Sequence, residues 1–444
     1  MTLQDRMSWT EPDDVDAAVE AVRTTAHELD HPDDLDRLVE RFGDRKYVLL
    51  GESSHGTSEY YRWRSRLTVR LLQEKDFSFV AVEGDWTDCY EVNRYVKDMP
   101  SSHETTRAVL DAFDRWPTWM WANWETLDFL NWLETYNQGR PEDDRVGFYG
   151  LDVYSLFESM DAVIEYLNDV DPDAAAEAEE AYRCFEPYGE DAQEYAQATR
   201  MVPETCQEEV VDILTRVRED VPEYDHNRDD YFNAEQNALV AKNAEQYYRK
   251  MVRDDADSWN IRDQHMVETL DRLQDHHGSD AKGIVWAHNT HVGDARATDM
   301  ETRGRHNIGQ LVRQRDGRSE TALIGMGSHR GSVIAASSWD APMEEMTVPA
   351  AQEGSYEHVF HQAGERDRLL VTEDLPDESA LTHPRGNRAI GVVYHPSREA
   401  GNYVPTNLPE RYDAFLHLDE TTSLHPLAIH AERKGMPELY PWGL

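Results

Sequence analysis

The stretch GESSHG (51–56) sets Glu52 three residues before His55, between two glycines. Gly51 and Gly56 permit a tight turn, and the serines offer helix N-caps. A glutamate beside a histidine holds one tautomer and raises its basicity, which a general base requires. A capped helix start with an incidental histidine fits the same letters. Three more stretches close apolar runs with ionisable groups: Glu83 and Asp85 in VEGDW, Asp152 in FYGLD, and His288, Asn289 and His291 in WAHNTH. Carboxylates and imidazoles sharing a crevice tune each other's pKa for acid–base chemistry near neutrality. Each has a plainer reading. Glu83 suits a turn, Asp152 an N-cap for a helix near Tyr154, and His288 with His291 either a metal pair or one working and one structural histidine. Arg62, Arg64 and Arg66 offer contacts to a carbonyl or phosphate, or simply an exposed helix face. Trp116, Trp119, Trp121 and Trp124 are too close together to be all core, so some, Trp119 included, are candidates for an apolar substrate cleft.

Those groups need a frame. RKYVLLGE (45–52), FSFVAVEGDW (77–86) and RVGFYGLD (145–152) read as buried strands, with helical spacing at 57–75, around 87–98 and across the aromatic-rich 116–137. Strand–helix alternation of this kind builds a parallel α/β sheet, and ligands bind beyond the carboxyl ends of its strands. Residues 1–45 look helical and acidic. From 154 to 280 no strand pattern appears, and 171–185, 204–220, 229–253 and 258–276 carry helical spacing, so this span reads as a helical insertion. The sheet resumes at KGIVWAHNTH (282–291), SETALIGMG (319–327), SVIAAS (332–337), DRLLVTED (367–374), RAIGVVY (388–394) and AFLHLDE (414–420). Connections after 327 are too short for crossover helices, so some late strands pair antiparallel. The expected fold is α/β, with a mixed, largely parallel central sheet flanked by helices. Without a repeat or low-complexity linker, 1–444 reads as a single domain.

Composition narrows the function. The 444 residues carry 88 acidic against 44 basic side chains, a net charge of −44. Such a chain repels nucleic acid and anionic membranes. The acids are spread along the whole length and only seven of the basic residues are Lys, which fits adaptation to a salty cytosol that screens the self-repulsion. No apolar run spans a membrane, and MTLQDRMSWTEPDD lacks the apolar core of a leader, so a cytoplasmic protein is expected. Cys89, Cys184 and Cys206 are odd in number and far apart, with no framework or metal spacing, which suits three reduced thiols. No G-x-S-x-G elbow, phosphate-binding P-loop, G-x-G-x-x-G or H-E-x-x-H occurs, against a serine hydrolase, NTPase, dinucleotide enzyme or zincin.

The blocks LLGESSHGTSEYYRWRSRLTVRLL (49–72), FVAVEGDW (79–86), RWPTWMWANWETLDFLNWL (115–133), FYGLDVYSL (148–156), SWNIRDQHMVETL (258–270) and VWAHNTHVGDARATDM (285–300) resemble the erythromycin esterase family, in order, within a likeness running from about 45 to 425. The resemblance implies an α/β core with helical additions, a deep cleft, and hydrolysis of a macrolide lactone by water. On matching positions it implies His55 as base, Glu52 and Glu83 orienting it and the water, and His288 at the reacting carbonyl. Arg262, His265 and Asn289 match family positions as well. Ser53–Ser54 stand where relatives often carry Ala–Thr or similar, which leaves the ionisable groups intact.

The expectation is therefore a carboxylic ester hydrolase with catalytic His55, Glu52, Glu83 and His288. Arg64, Asp85, Trp119, Asp152, Arg262, His265, Asn289 and His291 are its substrate-side candidates. Its partner is a small-molecule ester or lactone, and no cofactor is required. Two rivals stand beside it. The same Glu52, His55, Glu83 and His288 are acceptable ligands for Zn²⁺ or Mn²⁺ in a metallohydrolase, and a non-catalytic homologue would keep the cleft only to bind a ligand.

Overall fold

A computed structural model describes residues 12–188, 192–199, 206–219, 228–252 and 255–427. The first eleven residues, which carry most of the stretch read for a leader, and the two ends of the 204–220 helix lie outside the described residues.

Strands β1 (His27–Glu28), β2 (Tyr47–Leu50), β3 (Phe79–Asp85), β4 (Gly147–Asp152), β5 (Gly283–Trp286), β6 (Thr321–Ala336), β7 (Met343–Val348), β8 (Arg368–Val371) and β11 (Ala414–Thr421) form one sheet, while β9 (Arg385–Arg388) and β10 (Tyr403–Thr406) form a separate antiparallel pair. The order is β1-β8-β11-β6-β2-β5-β3-β4, with β7 alongside β6. The neighbours from β11 to β4 run parallel, and β8 and β7 join antiparallel. This is the expected mixed, largely parallel sheet.

The central strands are apolar throughout because both faces are covered. Val48, Leu50, Val80, Val82 and Ile284 meet Leu67 and Leu71 of the helix Ser58–Glu74 and Leu130 and Leu133 of the helix Trp124–Gln138. Alternate residues Tyr47, Leu49, Phe79, Ala81 and Val285 face Met266, Leu270 and Leu273 of the helix Asp255–His277, and Ile308 and Val312 of the helix Ile308–Asp316. Each fully buried Leu or Val on these faces contributes about 1.5–3 kcal/mol relative to exposure. Between β4 and β5 the described residues are helical from Leu156–Val170 through Asp255–His277. These helices bury an apolar cluster of their own, including Val163, Leu167, Tyr182, Tyr195, Val210 and Tyr248. The helix Asp255–His277 serves both clusters, through Ile261 on one side and Met266, Leu270 and Leu273 on the other.

Three local expectations are corrected. The runs 319–327 and 332–337 are one strand, β6, because Gly331 (φ 152°) carries the chain on where a side chain would strike the Thr421 backbone. At 388–394 the strand stops at Arg388. Beyond it Ile390 and Val393 make isolated bridges to Ser54 and Ala336, two different elements, so no ladder continues. The cysteines are not three free thiols: Cys184 and Cys206 form a disulfide with Cα atoms 5.8 Å apart, and only Cys89, in the core, is free.

Candidate active site

Strands β2, β3, β4 and β5 run in one direction, so Glu52, Glu83, Asp85, Asp152 and His288 come off the same end of the sheet. The loop after β2 turns against neighbouring backbone. Gly56 faces the Ile334 carbonyl so closely that any Cβ would collide, while its own carbonyl accepts from Ile334 N–H and Leu424 N–H, both at 2.9 Å. The loop serines do not cap the following helix. Ser53 Oγ sits 2.6 Å from Tyr60 Oη and Ser54 Oγ pairs with Thr57 Oγ1, and the cap position falls to Thr57.

Within this turn His55 Nδ1 lies 2.8 Å from Glu52 Oε1. Glu52 Oε2 in turn lies 2.8 Å from Arg64 Nη2, whose guanidinium stacks over the Tyr61 and Trp286 rings. With Nδ1–H donated to Glu52, a neutral His55 carries its lone pair on Nε2. That nitrogen is 3.9 Å from Glu83 Oε1, and the His55 and His288 ring centroids are 5.1 Å apart. His288 caps the short helix Asn289–Val292: its Nδ1 accepts from the Thr290 amide and is 2.8 Å from the Thr290 hydroxyl. A neutral ring accepting at Nδ1 bears its proton on Nε2, which is buried. Burial, then the neighbouring His55, pushes His288 down to about 3, against weaker pulls from Glu83 and the Ser53 carbonyl, so the ring is neutral at pH 7.

Glu83 is the hub. Its Oε2 accepts from the His288 amide at 2.8 Å, and its Oε1 faces Arg262 Nη2 at 2.8 Å and His291 Nε2 at 3.3 Å. Burial would raise its pKa, but His291, His55 and Arg262 outweigh that and hold the carboxyl well below the usual range. Arg262 also clamps Asp152, at 2.9 and 2.6 Å, over the Tyr154 ring. Asp152 is thus an arginine partner, and the helix at 156 is preceded by Ser155 instead. His291 Nδ1 faces both oxygens of Asp263, at 2.9 and 3.0 Å, and its ring stacks on Trp259. Burial lowers the pKa of His291, but Asp263 and Glu83 raise it to about 9. His291 Nε2 is shared between Glu83 Oε1, at 3.3 Å, and Arg262 Nη1, at 3.1 Å.

Several substrate-side candidates sit elsewhere. Arg64 is 0% exposed beneath Glu52, so it supports that carboxylate and reaches no ligand. Asn289 is buried and ties the loop to β6, donating to Met326 O at 2.7 Å. His265 lies between the helices Arg228–Met251 and Asp255–His277, beside Asn243 Nδ2 (2.9 Å), and burial pushes it down to about 4. Trp119 belongs to the main core. Asp85 is at the rim: Arg115 Nε meets its Oδ2 at 2.5 Å, Oδ1 is unpartnered, and burial pushes the acid up to about 8.

Two residues not singled out from the sequence, and one tryptophan of the 116–124 cluster, complete the site. Asp263 and Trp259 hold His291, and Trp121 donates its indole N–H to the Glu83 carbonyl at 3.1 Å. Asp263 stood in the quoted NIRD, beside Arg262, but which helical neighbour faces the site depends on packing. The groups are nearly enclosed, with His55 7% and His288 5% exposed. An open cleft of about 600 Å³, lined by Asp294, Arg296, Asp299, Arg318, Asn407 and Glu410 among others, includes none of them. The chemistry is located by its side chains, not by the volume of a cleft. Among the described residues no three His, Cys, Asp or Glu side chains are grouped to hold a metal ion, and no helix is long and apolar enough to cross a membrane.

Comparison with known proteins agrees with this architecture. A succinoglycan biosynthesis protein of known structure superposes with a TM-score of 0.78 at 22% identity, over 94% of this chain and all of that one. A Bacillus cereus protein gives 0.78 at 20% identity, over 93% and 99%. An erythromycin esterase variant in its open conformation gives 0.64 at 18% identity, over 95% and 98%. At these identities the likeness shows the fold. In sequence, a type II erythromycin esterase from Escherichia coli is 24% identical over 160 residues, 35% of this chain, and the aligned part spans only 36% of that relative. The sequence model of the family described as Erythromycin esterase matches residues 72–421, starting downstream of GESSHG. With most of its length under that match, the chain belongs to the erythromycin esterase family.

Proposed function

We propose that this chain hydrolyses an ester or lactone with a water activated by His55. Family membership supports a hydrolase. The observation that carries the finer reading is the wiring of His55: Nδ1 engaged by Glu52 at 2.8 Å, leaving Nε2 turned toward Glu83 and beside a neutral His288. In the proposed reaction a water held by Glu83 gives a proton to His55 Nε2 as its oxygen adds to the carbonyl carbon. The developing oxyanion takes a hydrogen bond from His288 Nε2–H. Collapse breaks the C–O bond, and the proton on His55 passes to the leaving alkoxide, giving an acid and an alcohol. Arg64 and Arg262 balance Glu52 and Glu83, so neither carboxylate needs a metal to be stable where it is.

The test is a panel of esters and lactones assayed at high salt, with and without a chelator. His55→Ala should lower turnover by about 10²–10⁴-fold while the far-UV spectrum is unchanged. Near-wild-type rates in that variant would overturn the base assignment, and loss of activity to the chelator with recovery on adding Zn²⁺ or Mn²⁺ would favour a metallohydrolase.

A further inference from the structure

We infer that Asp263 is a positioning residue, acting through His291 to hold the Glu83 carboxylate at the reacting centre. The inference rests on the proposed hydrolytic role of the Glu83 site and extends it to a residue that meets no substrate. Three observations carry it. Asp263 is completely buried, and both its oxygens meet one nitrogen of His291, at 2.9 and 3.0 Å. Its own place is set from a third element, because Oδ1 accepts the Ile308 N–H at 3.0 Å, where the helix Ile308–Asp316 begins. The His291 ring is left little freedom. Its face lies 4.6 Å from Trp259 at an interplanar angle of 8°, and its far nitrogen is 3.3 Å from Glu83 Oε1.

The consequence is directional. Glu83 Oε1 is met from one side by Arg262, the residue preceding Asp263 on the same helix, and from another by His291. Arg262 alone would leave the carboxylate free to swing toward the guanidinium, since that ion pair is the shorter contact. The His291 ring, held by the carboxylate behind it, supplies the second anchor that fixes the plane of the Glu83 carboxyl while its Oε2 stays on the His288 amide. Such outer partners of a working group typically cost 10–100-fold when removed.

Asp263→Asn keeps the shape and an oxygen for Ile308 N–H but removes the charge behind His291. On the ester or lactone found with the wild-type enzyme, it should lower kcat about 10–100-fold with KM changed by less than about two-fold. A double-mutant cycle separates the route of action from a role in folding. If Asp263 works through His291, then Asp263→Asn combined with His291→Gln costs no more than His291→Gln alone. Should Asp263→Asn fail to fold, Asp263→Glu enters the same cycle, because its extra methylene shifts the ring while keeping charge and acceptor. Wild-type kcat in the Asp263 variant, or losses that multiply in the double variant, would overturn the inference. His55→Ala, run on the same substrate, keeps the two ideas apart. If it is inactive while the Asp263 variant is unimpaired, only this inference falls; if it is active, the assignment of His55 as base falls first.

Discussion

The proposed reaction sets opposite tasks for two histidines 5.1 Å apart, through what touches their nitrogens. In it His55 uses the Nε2 lone pair because Glu52 accepts its Nδ1–H, and His288 uses an N–H because a threonine occupies its Nδ1. This division has a measurable cost. His288 has its pKa depressed from about 6.5 to about 3 in the fold, so between those values the unfolded chain binds a proton that the native chain does not. The His288 contribution to stability is therefore full above pH 6.5 and declines as pH falls toward 3. Urea unfolding at pH 7, 6 and 5 in high salt should show that decline, and His288→Gln should flatten it by up to about 1.4 kcal/mol per pH unit. An unchanged slope in the variant would mean that His288 is not the neutral ring described. The four strand-end groups were legible because an ionisable side chain closing an apolar run has little folding rationale. Arg64 and Asp263 were not, because a charged residue on a helix looks solvent-exposed until its carboxylate or imidazole partner is known.

The turn between β2 and the helix Ser58–Glu74 works because one residue has no side chain. Gly56 lies against the Ile334 backbone and hands its carbonyl to two amides from distant parts of the chain, Ile334 and Leu424. Gly56→Ala puts a methyl into backbone that cannot yield, and should destabilise the protein by about 1–3 kcal/mol or more, read as a lower thermal midpoint together with lost activity. A variant with the wild-type midpoint would show that this loop can relax. Strands whose faces are both buried announced themselves as continuous apolar runs, so β2, β3, β4 and β5 were readable. The continuity of β6 and the break after Arg388 were not, since both depend on which partner lies alongside. The pairing of Cys184 with Cys206 was hidden for a similar reason: helix packing closes a gap that spacing leaves open.

Across the whole molecule the net charge of −44 works against compactness wherever salt is scarce. Part of it is offset locally, as in Arg262 between Glu83 and Asp152, but those are buried pairs that salt scarcely screens. Diluting the salt from molar to about 10 mM lengthens the screening distance from roughly 3 to 30 Å, so the thermal midpoint should fall steeply, with activity lost in parallel. A midpoint independent of salt would refute the salt-adapted reading of the composition. Charge and the absence of membrane-length apolar runs were plain in the letters; the shape of the nearly enclosed site was not, because it depends on how distant segments pack.

The helix Asp255–His277 rests on the sheet with one end and reaches Glu83 with the other. Engineering a minimal version by trimming 154–280 would keep every residue of the eleven strands. It would also strip Glu83 of its guanidinium and His291 of the aspartate behind it, leaving an enclosed anion that two imidazoles face and no guanidinium balances. A shortened form of this protein that keeps the Glu83 cluster therefore has to retain that helix, and any shortening belongs in the outer helices before it.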